Sequence, residues 1–148
     1  QELTAISTSR SLPTIDSITY TFESFAGNEF YLPYYHSVDN GQEANQYRLR
    51  IWVNGEETEI YYLGDDQFIN GQYYAAQFFG TSAQLSDTVF IEMLEMDEYV
   101  YDYFYGLSNE ADNSSFAPAP GNPVSNIQGD ALGYFGVFMT DTASIIIQ

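Results

Sequence analysis

An antiparallel β-sandwich with one late α-helix is the fold class this sequence predicts, and three observations predict it. Thr, Tyr, Phe, Ile and Val dominate the patterned stretches, and such residues suit a half-buried pleated surface. Alternation with period two recurs more often than helical spacing, the pattern of strands that bury one face. The 148 residues suffice for one domain with its own core and are short for two.

Residues 1–12 read as an N-terminal arm, or as the junction to a missing upstream domain, because Pro13 separates them from the first strong alternation. The sandwich domain then spans residues 13–148. Ile18, Tyr20 and Phe22 share one face of the first strand, with Thr19, Thr21 and Glu23 on the other. A second apolar run, residues 30–35, contains Pro33, which removes a ladder donor and suits an edge or a bulge. A polar loop with an Asn40-Gly41 turn follows. In residues 47–63, Asn54-Gly55 sits between alternating segments and asks for a two-residue type I′ turn. With Val53 opposite Glu56, the register puts Trp52 against Glu57, Arg50 against Glu59 and Arg48 against Tyr61. Tyr47, Leu49, Ile51, Ile60 and Tyr62 then face the core.

Residues 72–79 and 88–94 are further strands. Asp97 is placed to cap a helix with Glu98 in its first turn. Val100, Tyr103, Phe104 and Leu107 make its buried stripe, Asp102 and Tyr105 face outward, and Gly106 or Asn109 ends it. Residues 108–129, with Pro118, Pro120 and Pro123, read as a long loop of the kind that is often functional. The chain returns to strand at residues 133–148, with a turn or kink at Asp141-Thr142 and a buried triple isoleucine at 145–147. Seven or eight strands without a repeat, and one helix late in the order, suggest an immunoglobulin- or fibronectin-like sandwich.

Charge narrows the function classes. Three cations, Arg10, Arg48 and Arg50, stand against 21 Asp and Glu for a net charge of −18, with no lysine. Nothing in that balance matches a phosphate backbone or an anionic membrane surface, so nucleic acid is excluded as a partner. With 14 Tyr, 11 Phe and one Trp, the chain is too aromatic for an acidic disordered segment. The absence of Cys removes disulfides, thiolate catalysis and zinc ribbons. No run is long and apolar enough for direct membrane insertion, and residues 1–4 lack the features of an export signal, which would lie outside this chain.

No catalytic residues are assigned. His36, the sole imidazole, lies beside Tyr34 and Tyr35 at a strand end and reads as a partly exposed histidine, since a base needs an orienting partner. Nucleophile-elbow, dinucleotide, phosphate-loop and zincin motifs are absent. Calcium is a possible use of the surplus carboxylates, with Asp65 and Asp66 the best pair and Asp39, Asn40 and Glu43 a second cluster; the competing reading is solvated acidic loops. Trp52, Tyr61, Arg48 and Arg50 form the candidate ligand-binding group, aromatic faces and cations on one side of the hairpin. The competing readings are ordinary cross-strand pairing and an inter-domain contact.

The most specific stretch is residues 122–138, NPVSNIQGDALGYFGVF. It resembles the C-terminal signature of an uncharacterised outer-membrane lipoprotein family of Bacteroidota, in which Asn-Pro-x-Ser-Asn-Ile leads through a Gly-rich stretch into Leu-Gly-x-Phe-Gly. Residues 45–49, 66–73 and 98–107 are similar, in order, to three further family segments, and residues 3–18 to its mid-chain junction. The match covers nearly the whole chain but only the latter half of the family's length. The resemblance implies a fragment or a cleavage product, with signal peptide, lipidated cysteine and a first β domain upstream. It also implies a cell-surface, outer-membrane location and a protein partner, a TonB-dependent β-barrel transporter complex for nutrient or glycan uptake. The signature positions Asn122, Pro123, Ser125, Asn126, Gly133, Phe135 and Gly136 read as structural, through turn bonding and close backbone approach. The expectation is a non-enzymatic accessory domain without a cofactor; the alternative is a carbohydrate-binding module, with or without calcium.

Overall fold

The computed structural model describes residues 2–10, 14–60, 62–111 and 123–148. Among them are ten strands and one helix: β1 (Thr4–Ala5), β2 (Ile15–Phe25), β3 (Asn28–Val38), β4 (Gln46–Val53), β5 (Glu56–Glu57), β6 (Tyr62–Asp65), β7 (Tyr73–Gln77), β8 (Thr88–Met96), α1 (Glu98–Ala111), β9 (Ile127–Gln128) and β10 (Met139–Ile146). One sheet has the order β2-β3-β7. The second runs β10-β8-β4-β5, with β6 also paired to β4, and β1 pairs with β9 apart from both. Every pairing between named strands is antiparallel.

The two large sheets pack face to face over one core. Ile15, Ile18 and Tyr35 project from the first sheet, and Tyr47, Leu49, Ile51, Val89, Ile91 and Met93 from the second, with Phe78 and Ile147 between them. The chain is thus an all-β sandwich with one late helix. Alternation explains the partition, because residues i and i+2 of a strand share a face. The same parity leaves Met96 on the outer side of the second sheet, where α1 covers it with Val100 and Phe104, flanked by Leu63, Tyr101, Leu107 and Phe138. Asp97 caps α1 as the sequence predicts, its Oδ1 accepting the Val100 N–H at 3.0 Å.

Two hairpin turns use positive φ at both central residues. Asn54-Gly55 has φ of 53° and 85°, and Ala26-Gly27 has 52° and 84°, the type I′ pattern. The second turn has no Asn or Asp to announce it.

The structure corrects several expectations. The β4–β5 register holds for Trp52–Glu57 and Val53–Glu56 and through the Thr58 N–H to Ile51 O bond. It then slips by two residues, so that Leu49 pairs with Tyr62 and Arg48 with Leu63. A slip of two preserves the inward parity of Tyr62, but it moves Glu59 away from Arg50 and leaves Ile60 44% exposed rather than in the core. Pro33 lies in the central strand β3, not at an edge. Tyr31 exchanges both backbone bonds with Ala83, so Pro33, two residues on, turns its donorless nitrogen toward the same side, where β7 has ended. Asp141-Thr142 is no kink: β10 runs straight through it in register with β8. The Asp141 carboxylate instead accepts the Ile15 N–H at 2.7 Å and the Thr142 N–H at 2.9 Å, fastening β2 to the edge of β10. Residues 133–138 precede the strand rather than begin it. Of the triple isoleucine, Ile147 is buried and Ile146 is exposed, as alternation requires. Helix α1 passes Gly106 and continues to Ala111. The glycine admits Pro123, whose Cβ would sit 3.2 Å from a Cβ at position 106.

Candidate functional site

The outer face of the five-stranded sheet carries the predicted ligand-binding group, and the structure divides it. Cross-strand rows place Trp52 beside Phe90 and Ser144, and Arg50 beside Glu92 and Thr142. Arg50 is held from three directions. Its Nε and Nη2 donate to the two carboxylate oxygens of Glu57 at 2.7 and 2.6 Å, and Nη1 donates to Glu92 Oε2 at 3.0 Å. The same guanidinium lies over the Trp52 ring, 4.7 Å from its centroid, and Phe90 meets that indole edge-on at 5.2 Å. The bidentate bond holds the Glu57 carboxyl below the usual carboxylate range and raises the Arg50 guanidinium above its ordinary value.

This arrangement is a pre-positioned patch, since the planar guanidinium fork is fixed by its two carboxylate partners and rests on the Trp52 ring. Phe90 is 37% exposed and Ile146, one row beyond Ser144, is 54% exposed, so the patch mixes apolar surface with a tethered cation.

Arg48 shares this side of the sheet and lies near Glu57, but it is turned toward the helix. Its guanidinium lies over the Phe104 ring at 4.6 Å, at the end of the sheet that α1 covers. Tyr61 falls outside the described residues. The predicted quartet therefore contributes Arg50 and Trp52 to the open face, and the structure adds Glu57, Glu92 and Phe90. Phe90 and Glu92 were missed because they come from β8, some forty residues along the chain; their alternation with Ile91 and Met93 was the available signal.

The acidic loops are stapled by backbone donors. Asp66 Oδ2 accepts the Asn45 N–H at 3.0 Å, and Asp65 Oδ1 accepts the Gln67 N–H at 3.1 Å. Asp39, buried, accepts the Tyr47 hydroxyl at 2.5 Å and the Gly71 N–H at 2.9 Å; burial, reinforced by that bond, pushes the Tyr47 phenol far up. Among the described residues no group of three or more His, Cys, Asp or Glu side chains converges as a metal site.

The signature segment seats the N-terminal residues. Asn126 Nδ2 donates to Ile6 O at 3.2 Å and to Phe135 O at 2.6 Å, and its Oδ1 accepts the Phe135 N–H at 2.9 Å. Ser125 Oγ accepts the Ile127 N–H at 3.1 Å, Gly133 takes φ of +109°, and a Cβ at Gly136 would lie 2.8 Å from the Phe138 ring. Pro123 fills the notch at Gly106, and Asn122 lies outside the described residues. Residues 7–10 then run over two carboxylates. Asp97 Oδ2 accepts the Ser7 hydroxyl and, at 3.1 Å, the Thr8 N–H, while Glu95 Oε2 accepts the Arg10 N–H at 3.1 Å. Glu95 is completely buried, which raises its carboxyl above the usual range. These positions hold chain to chain, and the open Arg50–Trp52–Phe90 face is the candidate site. No protein-family model, no curated protein and no solved structure matches this chain.

Proposed function

We infer that the chain is a non-enzymatic binding domain whose Arg50–Trp52–Phe90 face docks a protein partner. The observation that carries this reading is the fixed guanidinium on Trp52, braced by Glu57 and Glu92 beside exposed Phe90. Trp and Arg dominate interface hot spots because they bury much area at small entropic cost once pre-positioned. A sugar would find one indole face already covered by Arg50, which favours a protein over the carbohydrate alternative at this patch. The family resemblance supports a particular setting, a lipid-anchored surface protein of the outer membrane that accompanies a TonB-dependent transporter. The charge of −18 calls for a partner that offers basic or apolar groups around the patch.

Site-specific photocrosslinking in cells tests the reading, with the crosslinker at position 90 and, as control, at the more exposed position 68. A discrete adduct from position 90 that contains an outer-membrane β-barrel, and that is lost in Trp52→Ala, is the expected result. Equal adducts from both positions, or one insensitive to Trp52→Ala, would overturn it.

A further inference from the structure

The outer face of the three-stranded sheet differs in chemistry from the rest of this acidic molecule. Between Ser17 and Thr21 on β2, and across their partners on β3 and β7, the outward positions carry hydroxyl, phenol, imidazole, amide and aliphatic groups and no carboxylate. Asp16 and Glu23 stand at the two ends of that stretch of β2. Exposed strands need no such neutrality to fold, and 21 acids were available to populate the face.

Its centre is a pair of aromatic rings held together. The Tyr73 hydroxyl and His36 Nδ1 are 2.5 Å apart, the ring centroids 6.0 Å, and the planes within 25°. Rings stacked face to face cannot bring a hydroxyl that close to a ring nitrogen, because van der Waals contact holds their planes further apart. The two rings therefore abut edge to edge, as neighbouring tiles in nearly one plane. Thr19 Oγ1 holds the other imidazole nitrogen at 2.7 Å, which fixes the His36 ring, and Tyr73 is 62% exposed. In the next row, about 7 Å along β3, the Tyr34 hydroxyl donates to Gln77 Oε1 at 3.1 Å. That bond orients the Gln77 amide and leaves its N–H groups, and the phenol oxygen, able to engage a ligand.

We propose that this face is a binding platform for a neutral polysaccharide. Successive pyranose rings lay their C–H faces on the His36–Tyr73 tile, and ring hydroxyls bond to Gln77, Tyr34 and Thr19. The chemistry selects this ligand over others. A peptide strand adds to a sheet edge and an amphipathic helix needs a groove, whereas this surface is the face of a sheet. Phosphorylated or uronic-acid polymers meet no cation here and are repelled at long range by the net charge. The site lies on the opposite sheet from Trp52 and does not depend on the protein-docking reading.

Affinity electrophoresis of the intact chain tests it, in native gels containing mixed-linkage β-glucan, xylan, galactomannan or glycogen, with polygalacturonate as the anionic comparison. The expected result is retardation by at least one neutral polymer and none by polygalacturonate. Tyr73→Ala and His36→Ala should each weaken it at least tenfold, Tyr73→Phe severalfold, and Trp52→Ala not at all; circular dichroism and thermal melting check that each variant folds. Retardation by none of the four neutral polymers overturns the proposal. So does retardation that survives Tyr73→Ala, or that is lost in Trp52→Ala instead.

Discussion

Replacing Arg50 by Met keeps an aliphatic stem over Trp52 while removing the guanidinium, so it isolates the charge network of the outer face. Three bonds are lost, two to Glu57 and one to Glu92, together with the cation–π contact. The side chains of Arg50, Glu57 and Glu92 are 33%, 35% and 23% exposed, so solvent screens each ion pair to about 0.2–1 kcal/mol. The stacking adds about 0.5–1 kcal/mol, which Met recovers in part. The net expectation is a loss of about 1–2 kcal/mol of unfolding free energy, read by urea denaturation at neutral pH and low salt. Glu57 supplies the pH signature. Its folded pKa is depressed by the Arg50 bond, so its contribution is fully present above the unfolded carboxyl value of about 4.3. It is lost as pH falls through the depressed folded value. The penalty of Arg50→Met should therefore shrink on acidification, and again in ~1 M salt, where the Debye length is about 3 Å. A double-mutant cycle with Glu57→Gln should give a coupling of at least about 0.5 kcal/mol. A coupling near zero, or a penalty unchanged at acid pH, would refute the network.

Glu95 has the opposite sign. Burial raises its folded pKa above the unfolded value, so ionising it costs stability, and the loss accumulates as pH rises from the unfolded value to the folded one. Glu95→Gln keeps an acceptor for the Arg10 N–H and should raise the melting temperature at pH 7, a gain that disappears at pH 3; a lower melting temperature at pH 7 would contradict this account. Asn54 holds φ of +53° while its side chain bonds Asp87 Oδ1 at 2.7 Å and the Thr88 N–H at 3.0 Å. Asn54→Ala forfeits the side-chain bonds and forces Ala into the left-handed region, a cost of about 2–3 kcal/mol by urea denaturation; a loss under about 0.5 kcal/mol would show that the turn does not hold β4 to β8.

Local patterns were legible where one short segment contains the whole determinant. The Asn54-Gly55 turn, the Asp97 cap and the inward set Tyr47, Leu49 and Ile51 each depend on neighbours within a few residues, and each is found as the sequence predicts. The Ala26-Gly27 turn escaped because Ala is a poor marker of positive φ. The register beyond Thr58 escaped because a two-residue slip conserves the alternation that a reader of the sequence can see.

The candidate sites show the same division. Arg50 and Trp52 could be placed on one face from spacing alone, yet their surroundings are only partly local: Glu57 lies in the same hairpin, whereas β8 brings Glu92 and Phe90 alongside. Likewise His36 looked unaccompanied until β2 and β7 supplied Thr19 and Tyr73. The sequence by itself determined the strand periods, the single helix, the acidic surface and the residue types available for binding, because these are properties of the chain and its near neighbours. Only the tertiary structure decided which face each strand shares with which partner. Sheet pairing joins residues far apart in the chain, and nothing local records that choice.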